Sequence, residues 1–180
     1  MHSSSGLPTT SAWSLTALRI AVGCIFLIFA EYKVFGTEFT RGGGFQHWIN
    51  LFLQGGAYRF MVPVLQNFVL PHATPIAFLV AYGELAIGLA LVSGIAVRPA
   101  AVCGVVYMLT LLFSSNYPGP NAPLWQYFGA SLDHSILALC FAAFALTNPQ
   151  ELWSIHALRR RTLVRQRAGH ENRATSLTPS

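Results

Sequence analysis

Charge is what this sequence lacks most. Only 9% of its 180 residues are Asp, Glu, Lys or Arg, and 53% are hydrophobic. A soluble domain typically carries about 25% charged residues. Because so few charges cannot cover a surface that faces water, the composition excludes an ordinary soluble domain and favours a protein whose solvent is lipid.

Cysteine pairs and metal-ligand patterns are also missing. Cys24, Cys103 and Cys140 stand singly in apolar stretches and form no C-x-x-C pair, which argues against a thiol–disulfide relay. His134 is the one histidine inside a long apolar stretch, so a haem held by two histidines is not expected. No spacing typical of metal ligands occurs, and we expect neither haem nor metal.

Four apolar stretches approach the roughly 20 residues that a helix needs to cross a bilayer. Backbone groups in lipid must be hydrogen-bonded within the protein, so these stretches predict helices. The predicted fold is an all-α membrane protein, a four-transmembrane-helix bundle. The spans are predicted at residues 13–34, 74–97, 99–115 and 128–146.

The two ends of the chain are more polar than its middle. Residues 1–12 lack the basic start of a signal peptide, so we predict that the first span is retained. Residues 148–180 carry six arginines, and arginine near a span favours the cytoplasmic side. We therefore predict a partly disordered cytoplasmic tail, both termini in the cytoplasm, and a multi-pass protein of the inner (plasma) membrane. The net charge of +5 reflects this topology, and no nucleic-acid partner is expected.

The connection between the first two predicted spans, residues 36–72, is too long for a turn and is not polar. Phe45, Trp48, Ile49 and Phe52 follow the i, i+3, i+4, i+7 spacing of an amphipathic helix. We predict two short interfacial helices in this first outer connection. They can serve as a membrane-surface anchor or as a lid or lateral gate over an interior pocket.

Six ionisable side chains interrupt the predicted spans, where each costs about 2.5–3.5 kcal/mol. Such groups normally face the bundle interior and find partners. Five are predicted to lie in the outer half, and two tyrosines add hydroxyl groups at middle depth. The ionisable groups are Arg19, Glu31, Lys33, Glu84, Asp133 and His134, and the tyrosines are Tyr82 and Tyr107.

Three roles fit this polar set: a structural salt-bridge network, a site that binds a polar headgroup and passes protons, or an ion path. Glu84 is the most informative member, because a carboxyl group near the midplane cannot be a surface group. Small residues at four-residue spacing also predict close helix packing, through Ala86, Ala90 and Gly94 in the second span.

Two motifs resemble the DoxX/DoxD family of small integral membrane proteins. Residues 18–36, LRIAVGCIFLIFAEYKVFG, resemble the first span of that family, and residues 83–101, GELAIGLALVSGIAVRPAA, resemble the second. We interpret residues 13–147 as one DoxX-like membrane domain, although Ala30 stands where the family often has Gly. The matching positions are Arg19, Gly23, Phe26, Lys33, Gly83, Glu84, Gly88, Gly94 and Arg98.

The resemblance implies a quinone-linked redox subunit, because the family includes a subunit of thiosulfate:quinone oxidoreductase. Membrane quinone is then the expected cofactor, and the lipid bilayer and a second redox subunit are the expected partners. The polar set supplies the site residues, although Asp133 and His134 match no motif of the family. The catalytic candidates are Glu84, Asp133 and His134, and the candidates for binding quinone or substrate are Glu31, Lys33, Tyr82 and Tyr107.

Family membership alone does not establish catalysis. The alternative is a non-catalytic anchor or assembly subunit for a redox or sulfur-stress complex. A small proton or solute transporter is a third interpretation, which the small number of spans and the lack of an inverted repeat argue against.

Overall fold

The computed structural model describes residues 10–129 and 131–147, and within these ranges the ordered elements are helices. The predicted basic tail and most of the predicted N-terminal segment lie outside the described residues. Two π-helical turns, Phe52–Gly56 and Leu65–Val69, extend the short helices Gly44–Leu51 and Val62–Val64. The α-helices are α1 (Thr10–Phe35), α2 (Thr37–Thr40), α3 (Gly44–Leu51), α4 (Val62–Val64), α5 (Ala73–Ser93), α6 (Val97–Ser114), α7 (Leu124–Gly129) and α8 (Leu132–Leu146).

Three of these helices, α1, α5 and α6, are long and apolar enough to cross a membrane. They correspond to the first three predicted spans and confirm an all-helical membrane protein. α5 ends at Ser93 because Gly94 adopts a left-handed φ of 74°, a conformation that glycine reaches without strain. A tight turn through Ala96 then leads into α6, whose first turn carries the exposed Arg98.

The fourth predicted span differs from the structure. It was expected to run without a break over residues 128–146, but α7 ends at Gly129 and α8 begins only at Leu132. Ser131, which precedes α8, has a non-helical backbone with φ −127° and ψ 59°. α8 is apolar and has 15 residues, which corresponds to a length of about 22 Å.

The long helices pack as two pairs, α1 with α5 and α6 with α8, and α5 also contacts α6. Glycines make both close approaches possible. A Cβ added to Gly88 of α5 would lie 2.8 Å from Leu27 Cδ2 of α1, and one added to Gly104 of α6 would lie 2.5 Å from the Phe141 ring of α8. Ala86, which was expected to form the packing stripe of α5, is exposed.

The outer connection folds against the bundle rather than away from it. The buried Phe39 and Phe45 rings meet edge to face, with centroids 5.7 Å apart, and they belong to one apolar cluster with Ala73 and Ala77 of α5. Trp48, three residues after Phe45 on the predicted stripe, is half exposed. Phe45 and Ile49 of the predicted stripe are therefore buried against protein, whereas Trp48 is half exposed and Phe52 is partly buried.

Backbone hydrogen bonds join the far part of the connection to the end of α6. The Tyr58 N–H donates to the Phe113 carbonyl over 3.0 Å, and the Tyr117 N–H donates to the Gly56 carbonyl over 2.9 Å. Burial, together with the neighbouring Tyr127 and Tyr117, raises the pKa of Tyr58 above its usual value. The connection thus covers one end of the bundle, which we call the outer end.

A buried polar triad as the candidate functional site

Three helices bring three polar side chains together inside the bundle. Glu84 lies near the middle of α5 and is only 5% exposed. The Lys33 ammonium of α1 lies 2.5 Å from Glu84 Oε1, and the Tyr107 hydroxyl of α6 donates a hydrogen bond to the same oxygen. We call Lys33, Glu84 and Tyr107 the polar triad.

The sequence around Glu84 explains why this carboxylate faces inward. Ala77, Ala81, Gly88 and Leu91 lie at offsets of −7, −3, +4 and +7 from Glu84, and all four are buried. Residues at these offsets share one face of a helix. Glu84 is thus carried on the packed face of α5, where the small Gly88 lets α1 approach.

Lys33 reaches the site from the last turn of α1. A cation is favourable there because the carbonyl end of a helix carries partial negative charge. Its Nζ also lies 5.1 Å from the centre of the Phe39 ring, a distance typical of a cation–π contact. Phe39 was not among the predicted site residues, because a search for ionisable groups cannot find an apolar ring.

The two carboxylate oxygens of Glu84 differ in their hydrogen bonding. Oε1 receives both Lys33 and Tyr107, whereas Oε2 is buried and accepts no hydrogen bond from the part of the chain that the structure describes. An ionised carboxylate offers about four acceptor positions, and leaving a buried acceptor unpaired costs about 1–3 kcal/mol. Oε2 is therefore the atom of the triad best suited to take a further donor.

Two of the predicted binding residues lie away from the triad. Tyr82 is 53% exposed and stacks on Phe78, with ring centroids 6.3 Å apart. Glu31 is exposed on α1. Each precedes a triad residue by two positions, which is a rotation of about 200° around a helix. The structure therefore brings Lys33, Glu84 and Tyr107 together and turns Glu31 and Tyr82 outward.

Asp133 and His134 lie in the first turn of α8, because that helix begins at Leu132. The sequence predicts them deeper, about a turn and a half from the outer end of the fourth span. The Asp133 side chain is 70% exposed and that of His134 is 20% exposed. His134 Nδ1 lies 3.3 Å from Asp133 Oδ1, but it forms no hydrogen bond with any described residue. An acidic side chain is favourable at this helix end, where the partial charge is positive.

Clusters suited to metal binding do not occur among residues 10–129 and 131–147, where no three His, Cys, Asp or Glu side chains lie close enough to share an ion. Cys24, Cys103 and Cys140 are all free. Cys24 and Cys103 are exposed on the outsides of α1 and α6, and Cys140 is partly buried.

These features define a class: an α-helical membrane protein with a buried lysine–glutamate–tyrosine cluster. The family model for DoxX matches residues 14–116, which is more than half of the chain, so the protein belongs to the DoxX family. The match includes the whole polar triad and ends before α7 and α8, which carry Asp133 and His134. Searches of curated proteins and of solved structures found no match.

Proposed function

We propose that this protein is a quinone-linked redox subunit of the inner membrane and that its polar triad holds the quinone headgroup. One observation carries the proposal. A lysine, a carboxylate and a tyrosine hydroxyl converge inside the bundle, and Glu84 Oε2 has no hydrogen-bond partner among the described residues. Ionisable groups within a membrane are costly and generally serve a function.

The residues of the triad fit the chemistry of a quinone. A bound quinone supplies the capacity to take up two electrons and two protons. An ammonium has three donors, so Lys33 can hold Glu84 Oε1 and still donate to a quinone carbonyl, whereas the single Tyr107 hydroxyl proton is donated to Glu84. The unpaired Glu84 Oε2 can accept a hydrogen bond from a hydroxyl of the reduced quinol, and the Phe39 ring beside Lys33 offers an apolar wall. Glu84 can hold a proton on the carboxylate and pass it on, as a general acid or base does. The electrons would come from a second redox subunit.

The proposal includes four spans, with α7 and α8 together forming the fourth. An even number of spans keeps both termini on one side of the membrane. Arg98, in the turn between α5 and α6, is exposed on that same side, and the positive-inside rule makes that side cytoplasmic. The six arginines of residues 148–180 support the same orientation.

A non-catalytic anchor is the alternative that the triad itself also fits. The Lys33–Glu84 pair joins α1 to α5, and such a pair can hold helices together without any chemistry. A subunit of this kind would tolerate neutral residues at both positions, as in Lys33→Met with Glu84→Gln, because a buried ion pair is often no more stabilising than a neutral replacement.

The substitution Glu84→Gln separates the two functions. The variant keeps the shape of the side chain but cannot bind and release a proton, so quinone-dependent turnover should fall by about 10²–10⁴-fold. Because Lys33 then lacks its counter-charge, turnover is compared only after thermal melting has shown that the variant is folded. Native membranes that retain the second redox subunit would be assayed with thiosulfate as the candidate donor and a soluble quinone analogue. Glu31→Gln is the matched control, since it makes the same chemical change on an exposed face.

Two outcomes would contradict the proposal. Full turnover in a well-folded Glu84→Gln variant would exclude Glu84 as the proton relay. A parent protein that neither turns over nor binds the quinone analogue would favour the anchor.

A further inference from the structure

The interior of the bundle differs on the two sides of the polar triad. Towards the inner end the core is apolar for several turns, with buried Phe26 and Phe141 in edge-to-face contact and with Ile87 and Leu91 packed in the same cluster. The buried polar residues of the inner half, Thr16 and Arg19, lie near the start of α1. Arg19 precedes Lys33 by 14 residues, which is about 21 Å along the helix.

Towards the outer end, buried polar atoms recur. Ser114 is 3% exposed, and its hydroxyl has no hydrogen-bond partner in the described part of the chain. The buried atoms His134 Nδ1 and Glu84 Oε2 also lack a hydrogen-bond partner there, and His134 Nδ1 lies 3.3 Å from Asp133 Oδ1. Buried polar groups in proteins are nearly always paired with protein or with ordered water.

These atoms lie at successive depths along the bundle. Ser114 follows Tyr107 by seven residues, so it occupies the same face of α6 about 10 Å nearer the outer end. On α8, His134 and Phe141 share a face, and Phe141 contacts Gly104 of α6. Counting 1.5 Å per residue from that contact puts His134 about 6 Å beyond Tyr107, between Tyr107 and Ser114.

Polar groups continue from there to the surface. The Asn116 side-chain amide donates to the Ser131 hydroxyl over 2.6 Å, which joins the end of α6 to the start of α8. Ser131 is 2% exposed, whereas Asn116 is exposed. The unpaired polar atoms and the Asn116–Ser131 hydrogen bond therefore follow one another from the triad to the outer end. The apolar core described on the inner side contains no comparable series of polar groups.

We propose that ordered water between α6 and α8 connects the triad to the aqueous phase at the outer end alone. A buried water needs two to four polar partners, and Glu84 Oε2, His134 Nδ1 and Ser114 Oγ supply them at successive depths. The apolar core described on the inner side of the triad, between the triad and Arg19, supplies no such partners. That the exchanged protons serve a quinone rests on the proposed function, whereas the hydration itself does not.

Cysteine accessibility tests the one-sided hydration. In a background with Cys24, Cys103 and Cys140 replaced by alanine, single variants Ser114→Cys and Ala101→Cys would be placed in lipid nanodiscs, where both membrane faces meet solvent. The two positions are buried on α6, on either side of Tyr107. A charged methanethiosulfonate reagent needs the thiolate and hence water, so Ser114→Cys should react at least about tenfold faster than Ala101→Cys.

Controls make every outcome informative. Asn116→Cys, at an exposed position, reports that the reagent is active, and thermal melting reports folding. If Ser114→Cys does not fold, His134→Cys measures the same path. Labelling of Ser114→Cys as slow as that of Ala101→Cys would show a dry outer half, and labelling of Ala101→Cys as fast as that of Ser114→Cys would show that the path is not one-sided. Either result overturns the inference.

The labelling assay contains no quinone, so its result is independent of the redox proposal. Fast Ser114→Cys labelling together with full turnover in Glu84→Gln would keep the hydrated path and reject the proton relay. Slow Ser114→Cys labelling together with a large loss of turnover in Glu84→Gln would keep the proton relay and reject the hydrated path.

Discussion

At the scale of single residues, the main feature is the charge balance between Glu84 and Lys33. Its carboxylate is buried, and Lys33 is the cation that neutralises it at 2.5 Å. Both side chains are largely removed from solvent, at 16% exposure for Lys33 and 6% for Glu84. A buried charge without its partner is far more costly than either a complete pair or a neutral residue.

Replacing Lys33 with methionine should therefore destabilise the protein strongly. Loss of the cation leaves the Glu84 carboxylate uncompensated, and the free energy of unfolding should fall by about 3–5 kcal/mol. Unfolding by denaturant in detergent micelles would measure it. The double variant Lys33→Met with Glu84→Gln should regain most of the loss, and Glu31→Gln, on an exposed face, should change stability by less than about 0.5 kcal/mol. A Lys33→Met variant as stable as the parent would show that the pair contributes nothing.

The sequence could identify the members of the triad but not separate them from their neighbours. Lys33, Glu84 and Tyr107 belong to the predicted polar set because polar side chains are rare within membrane spans. Glu31 and Tyr82 stood there for the same reason, and the structure turns them outward. Helices that are apolar on every side give no periodic signal of which face is buried, so the rotation of α1 and α5 could not be deduced.

At the scale of helices, the contact between α6 and α8 depends on one glycine. The Gly104 Cα faces the ring of Phe141, which is fully buried and also packs edge to face on Phe26. A ring held from both sides cannot move away from an added methyl group. The two helices can lie this close only because position 104 carries no side chain.

Replacing Gly104 with alanine should consequently separate the helices. Overpacking of a close contact usually costs about 1–3 kcal/mol, and the thermal midpoint in detergent should fall accordingly. Gly83→Ala is the matched control, since an added Cβ there meets nothing within 4 Å. That control should be neutral or slightly stabilising, because alanine favours a helix more than glycine does. Equal midpoints for the two variants would contradict the packing described here.

Helix type was easier to predict from the sequence than helix ends or contacts. The apolar length of α1, α5 and α6 was sufficient to predict them, because a membrane span is set mainly by composition and length. The break at Ser131 was missed because the apolar length of residues 128–146 decided the prediction, although Gly129, Ser131 and Asp133 are residue types typical of a helix end followed by a helix start. The packing glycines were likewise missed in favour of the stripe through Ala86, because small residues occur on lipid faces as well as on packed ones.

At the scale of the whole molecule, the asymmetry between the two ends is the main feature. The outer connection covers one end and buries Phe39 and Ile49 against the bundle. The turn between α5 and α6, with Arg98 exposed, lies at the other end. If the proposed four spans are correct, the covered end faces away from the cytoplasm.

Reporter fusions test this topology. A fusion after Ser180 should be active as a cytoplasmic reporter, and one inserted within residues 42–44 should be active as a non-cytoplasmic reporter, because the arginine-rich tail is retained inside. A reporter in the turn after Gly94 should agree with the fusion after Ser180. One candidate span, α5, lies between residues 42–44 and that turn, so these two reporters should lie on opposite sides of the membrane. The same location for both would show that α5 does not cross the membrane.

The most direct measurement of the central claim is photolabelling of the parent protein with an azido-quinone in nanodiscs, followed by peptide mapping. The account predicts labelling on the segments of α1, α5 and α6 that carry Lys33, Glu84 and Tyr107. An excess of unlabelled quinone analogue should remove that labelling, since a specific site can be competed for. Labelling that is not competed, or that is confined to exposed faces such as those of Glu31 and Tyr82, would contradict a quinone site at the polar triad.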